Sequence, residues 1–154
     1  MTEQFYTTLE QSQELFKLLG HGHCADMMYT WEREPETGWE GYDEPSVGAY
    51  DDFDHFEFGQ PDIPCWSLTG LINLLPDTEY SICASYPLVL IPSSKEAGYI
   101  DIGEYYEVYH VEKANDLFTA TYNLVLWAIK NKKDKINEIP KDLSLTIFTW
   151  GYKG

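Results

Sequence analysis

The sequence predicts an α+β fold, a small antiparallel sheet of about four to five strands packed with three helices in sandwich-like layers. Three observations carry this reading. The stretch Ile63-Pro-Cys-Trp-Ser-Leu-Thr-Gly-Leu-Ile-Asn-Leu-Leu-Pro76 holds no charged side chain, and its Leu68, Leu71, Ile72 and Leu75 recur at the spacing of one helix face. Residues 8–19 and 116–131 repeat the helical period on either side of it. Between them, Tyr99 to Val111 alternates as a strand does.

Each element has its own local justification. Thr8-Leu-Glu-Gln11 fits a capping box, Leu15, Phe16, Leu18 and Leu19 give an apolar stripe, and Gly20 suits the helix end. A helix over 8–19 follows. Met27 to Trp31 reads as a strand with Met27, Tyr29 and Trp31 on one face. In the central stretch Ser67 stands as N-cap, and Trp66 and Leu74 widen the apolar surface. At roughly 1.5–3 kcal/mol for each buried side chain, this short helix is expected under cover. Residues 78–84 and 88–91 read as strand pieces, and Pro87 between them implies an edge position or a bulge. Residues 93–98 form a polar turn, so the strand pieces and 99–111 suggest a hairpin. Asn115 or Asp116 caps the third helix, apolar over much of its circumference. Residues 143–150 alternate well enough for a last strand. Lys130, Lys132, Lys133 and Lys135 suit the carbonyl end of that helix.

The chain of 154 residues suits one domain, 1–154, with an acidic, aromatic-rich loop insertion at about 32–62. Within 32–62 eleven carboxylates face Arg33 alone, a local charge of −10 out of −16 for the chain. Gly38, Gly41, Gly48 and Gly59, with Pro35, Pro45 and Pro61, break any long regular element. Trp39, Tyr42, Tyr50, Phe53, Phe56 and Phe58 are interleaved with the acids, whereas a disordered linker is poor in aromatics. The segment is therefore expected to fold back on the domain.

The negative charge disfavours direct nucleic-acid or membrane binding and permits a basic protein partner, a cation, or plain solubility. No run of about 18 apolar residues predicts a transmembrane helix. The first residues lack the basic and apolar regions of a signal peptide. Cys24, Cys65 and Cys83 are odd in number and widely spaced, which reads as reduced thiols in a cytoplasmic protein.

Candidate chemistry is sparse. His21, His23 and Cys24 are soft-metal ligand types, but a structural zinc site needs about four ligands and no second Cys/His pair occurs. Asp51 to Glu57 invites a hard cation, yet the glycine and glutamate of the calcium loop are missing. No nucleophile elbow, Walker loop, dinucleotide fingerprint or zinc-protease motif is present. Cys65 stands at a helix start, where a thiol is acidified; among Pro64, Trp66 and Leu68 a buried inert thiol is the plainer reading. His110 offers a base, though it lies among strand tyrosines. The expectation is a non-enzyme without metal or cofactor.

Three stretches carry a resemblance. Ala25-Asp-Met-Met-Tyr-Thr-Trp31, the central Ile63 to Pro76, and Asn115-Asp-Leu-Phe-Thr-Ala-Thr-Tyr-Asn-Leu-Val-Leu126 are similar to short proteins encoded in prophages and mobile elements of gut Bacteroidetes, with Thr119 and Thr121 departing from that pattern. The layout also resembles, more thinly, phage α/β/α-sandwich domains. The resemblance covers about half the chain, rests on packing motifs, implies a mobile-element origin, and supplies no catalytic residue.

The function expected is protein–protein interaction through 32–62, with Trp39, Tyr42, Tyr50, Asp51, Asp52, Asp54 and Glu57 as the interaction residues. In its sharper form the carboxylates imitate DNA phosphates and occupy a basic cleft. A self-associating structural component is the alternative, and a small hydrolase a more distant one.

Overall fold

A computed structural model of the chain describes residues 4–20, 22–48, 56–57, 60–80, 84–101 and 107–131. Local signals set its three helices. Helix α1, Leu9–Leu19, starts on the reciprocal Thr8–Gln11 capping box and ends at Gly20, whose φ of 85° is the left-handed cap. Helix α2, Leu68–Leu74, is capped by Ser67, whose hydroxyl accepts from the Gly70 N–H. Helix α3, Leu117–Asn131, begins on Asp116, which accepts from the Thr119 N–H at 2.7 Å and its hydroxyl at 3.0 Å.

Eleven strands occur among the described residues: β1 (Met27–Tyr29), β2 (Trp31–Arg33), β3 (Glu40–Tyr42), β4 (Ser46–Val47), β5 (Phe56–Glu57), β6 (Gln60–Pro61), β7 (Ile63–Cys65), β8 (Thr78–Tyr80), β9 (Ser85–Ile91), β10 (Glu96–Asp101) and β11 (Glu107–Lys113). The α+β class holds, but the strands spread over several sheets. An antiparallel four-stranded sheet runs β11-β10-β9-β8, a three-stranded one β4-β1-β7, and β2–β3 and β5–β6 pair as hairpins.

Helix α3 packs on β9, β10 and β11 and on α1 and α2. Leu88, Leu90, Ala97 and Tyr99 on the sheet meet Leu124, Val125 and Ala128 on α3, and Trp66, Leu71, Ile72, Leu74 and Leu75 complete the cluster. All but a trace of each α2 side chain in that set is buried, so the uncharged stretch between the prolines sits where its composition requires. Gly98 lets β10 and β11 approach: a Cβ there would lie 2.4 Å from the His110 carbonyl oxygen. A second cluster joins Tyr29, Ile63 and Cys65, with Tyr42 packed against it.

Four expectations change. The expected strand 27–31 is two strands in different sheets, and both Met28 and Tyr29 are buried, so the alternation there was not that of a one-sided strand. The expected strand 99–111 is β10 and β11 of a hairpin, while the turn before it spans 92–95 and Glu96 is already paired to Ile91. Pro87 lies inside β9, which pairs β8 over Ser85–Pro87 and β10 over Leu88–Ile91. Its missing N–H thus falls where the strand is bonded on one side. The acidic segment, expected as a loop, contributes short strands, and β4 pairs directly to β1. The expected strand 143–150, Cys83, and Lys132, Lys133 and Lys135 lie outside the described residues.

Candidate functional site

The acidic segment builds its β2–β3 hairpin from a turn. Pro35-Glu-Thr-Gly38 closes a hairpin in which the Glu34 N–H donates to the Trp39 carbonyl at 2.7 Å and the Gly38 N–H to the Glu34 carbonyl at 2.9 Å. Gly38 takes φ of 77°, a conformation costly for any side chain bearing a Cβ. The register then sets Trp31 opposite Tyr42, Glu32 opposite Gly41 and Arg33 opposite Glu40.

Strand alternation sorts these residues onto two faces. The inner face carries Trp31, Arg33, Glu40 and Tyr42. Trp31 and Tyr42 meet edge to face at 5.1 Å. The Tyr42 hydroxyl donates to the Pro61 carbonyl at 2.5 Å, and burial, then the Asp62 carboxylate, raises its pKa. Arg33 Nε donates to Glu40 Oε2 at 2.7 Å. Both partners of that ion pair are about half exposed, so it adds little stability. What it does is spend the segment's one cation on its own face.

The outer face carries Glu32, Glu34, Trp39 and Gly41. Trp39 is 46% exposed, and its indole lies across Gly41, where an added Cβ would stand 3.1 Å from Cζ2. Besides Glu40, which is exposed on the inner face beside Arg33, the exposed carboxylates are Glu32, Glu34, Glu36, Asp43 and Glu44. This is a negative ridge with one broad apolar ring on it.

Of the residues expected to bind a partner, Trp39 is displayed and Tyr42 is half-buried and engaged in packing. Glu57 stands on β5 opposite Gln60. Tyr50, Asp51, Asp52 and Asp54 lie outside the described residues, as does the Asp51 to His55 part of the cation reading. The outer-face set Glu32, Glu34 and Gly41 was not singled out from the sequence. The signal was present as two alternating runs around a Pro-Glu-Thr-Gly turn.

No protein family, curated protein or solved structure matches this chain.

Two other constellations bear on chemistry. Fully buried Thr7, Ser12 and Cys65 form a network: Thr7 Oγ1 and Ser12 Oγ lie 2.7 Å apart, and the Cys65 thiol donates to the Thr7 carbonyl at 3.4 Å. The Tyr29 hydroxyl donates to the same carbonyl at 2.9 Å. Burial pushes the Cys65 thiol up, against the hydrogen bonds that lower it. The nucleophile reading of Cys65 gives way to a closed, protonated thiol. On the large sheet, His110 stacks on Trp127 at 4.1 Å and its Nε2 lies 2.6 Å from Glu112 Oε2. The register slips between Tyr99 and Ile100, so Tyr109 and His110 both reach Trp127, with ring centroids at 6.2 and 4.1 Å.

Among the described residues no three His, Cys, Asp or Glu side chains converge in a metal-holding group. His21 lies outside them. The His23 carbonyl accepts from Trp66 Nε1 at 2.6 Å, so that turn docks on the core. Among the described residues no helix is long and apolar enough to cross a membrane.

Proposed function

We propose that the protein acts by binding a basic protein partner through the acidic hairpin 31–44, with the exposed carboxylates taking the place that nucleic-acid phosphates hold on such a partner. The observation that supports this most is the segregation of charge in the hairpin: Arg33 is paired to Glu40 on the inner face, and the outer face presents Glu32 and Glu34 beside a half-exposed indole. Carboxylates of one sign on an ordered scaffold steer an oppositely charged partner and fix its register. A net charge of −16 extends that field well beyond the hairpin. The resemblance to mobile-element proteins directs the search to host or phage proteins, and the buried free thiol of Cys65 suits a reducing cytoplasm.

The test is competition against duplex DNA. A basic DNA-binding protein held on labelled DNA is titrated with this protein at low salt, and DNA release is followed by anisotropy. Release that weakens steeply toward about 0.5 M salt, and in a Glu32→Gln/Glu34→Gln/Glu36→Gln variant, is expected. Absence of release from every basic protein tried at low salt would contradict the phosphate-like reading.

A further inference from the structure

We infer that the outer face of the β2–β3 hairpin is a receptor for a single arginine side chain of the partner, with the Trp39 indole as its floor and the Glu32 and Glu34 carboxylates as its rim. The inference rests on the basic-partner reading and deepens it. Three features of the face converge on a planar cation. Gly41 carries no side chain, so the Trp39 ring lies flat along the strand with Cζ2 only 3.1 Å from where a Cβ would begin. One face of the ring is thereby spent on the strand, and the residue is still 46% exposed. Glu32 sits across from Gly41 in the register, and Glu34 faces Trp39 through the 2.7 Å bond from its N–H to the Trp39 carbonyl. The cation of the segment, Arg33, is held by Glu40 on the other face and does not compete.

A ring face attracts a cation through its quadrupole, and indole does so best of the aromatic side chains. A guanidinium is planar and weakly hydrated, so it stacks on the ring while its edge N–H groups donate to carboxylates at the rim. An ammonium satisfies the charge and leaves the stacking surface unused. The face therefore prefers arginine to lysine. A second copy of this chain is a poor occupant, because it brings the same negative ridge.

The experiment is isothermal titration of the full chain with an oligo-arginine peptide and with an oligo-lysine peptide of equal length, at low and moderate salt. Trp39→Ala keeps every charge and is expected to weaken oligo-arginine binding about two- to fivefold, with a smaller loss for oligo-lysine. Trp39→Phe should fall between. Gly41→Ala keeps the ring and the charges but displaces the indole, and should lose affinity in the same direction; if it fails to fold by circular dichroism, the two Trp39 variants carry the test. Salt-sensitive binding of oligo-arginine that is equal in wild type and Trp39→Ala would overturn this inference alone. No binding of either peptide to wild type at low salt would overturn the basic-partner reading and this inference with it. Self-association of the wild type that Trp39→Ala abolishes would assign the face to a second copy and overturn the arginine receptor.

Discussion

Asp26 clamps Ser67: its Oδ1 accepts from the Ser67 N–H at 2.9 Å, and its Oδ2 accepts from the Ser67 hydroxyl. The contact fastens the loop before β1 to the start of α2. The neighbouring bond from Trp66 Nε1 to the His23 carbonyl, 2.6 Å, does the same one residue earlier. Asp26→Ala leaves two donors at the helix start without their acceptor. It should cost about 1–3 kcal/mol, read as a lowered urea midpoint with an unchanged slope.

Gly70 is fixed by the same junction. A Cβ at this position would lie 2.8 Å from the Cys24 carbonyl oxygen and 2.9 Å from Asp26 Oδ1. The first is backbone and cannot swing aside. Gly70→Ala is therefore expected to destabilise by about 1–3 kcal/mol, although alanine is the better helix former. A gain in thermal midpoint would contradict the packing of the 24–26 loop on α2.

The buried hydroxyls predict a response to alkali. Burial, then Glu79 and Asp77, raises the Tyr99 phenol, and burial, then Cys65 and Tyr6, raises the Tyr29 phenol. The Cys65 thiol is raised too. The unfolded chain releases these protons at ordinary values, about 8.5 for the thiol and about 10 for the phenols, and the folded chain holds them. Stability is then fully present below about pH 8.5 and declines as pH rises through the thiol and phenol ranges. Tyr29→Phe removes one of these groups and should make the decline shallower above about pH 10. In the native protein Cys65 should resist a thiol-disulfide reagent at pH 8 and react once urea unfolds the chain.

Two tryptophans separate stability from surface. Trp127 meets Tyr99 and Tyr109, both at 6.2 Å, and stacks on His110 at 4.1 Å. Trp127→Ala should cost about 2–3 kcal/mol, below a fully buried tryptophan because the residue is only partly covered. Trp39→Ala should stay within about 0.5 kcal/mol, as surface substitutions do. Calorimetric melting of both variants checks the contrast.

These positions also show what a sequence reveals. Thr8 and Ser67 were legible because a cap is settled within four residues, and the third cap was narrowed to Asn115 or Asp116. The burial of Leu71 and Leu75 was legible because nothing polar relieves that stretch. The division of 27–33 between two sheets was not, since it depends on Val47 and Cys65 arriving as partners of Met27 from 20 and 38 residues away. The slip that turns both Tyr109 and His110 toward Trp127 is likewise a property of pairing with β10. At the candidate site, Trp39 was visible as an aromatic among acids. The sorting of Arg33 and Glu40 away from Glu32 and Glu34 needed the register, which one turn residue more or fewer would invert.

The proposed binding of a basic partner by the negative face of the β2–β3 hairpin is tested by its salt dependence. The affinity of the full chain for an oligo-arginine peptide, followed by titration from low salt to about 0.5 M, should fall steeply as screening shortens the reach of the carboxylates. A Glu32→Gln/Glu34→Gln/Glu36→Gln variant should bind more weakly with a flatter dependence. An affinity that holds constant across the salt range, with the variant indistinguishable from wild type, would contradict the account.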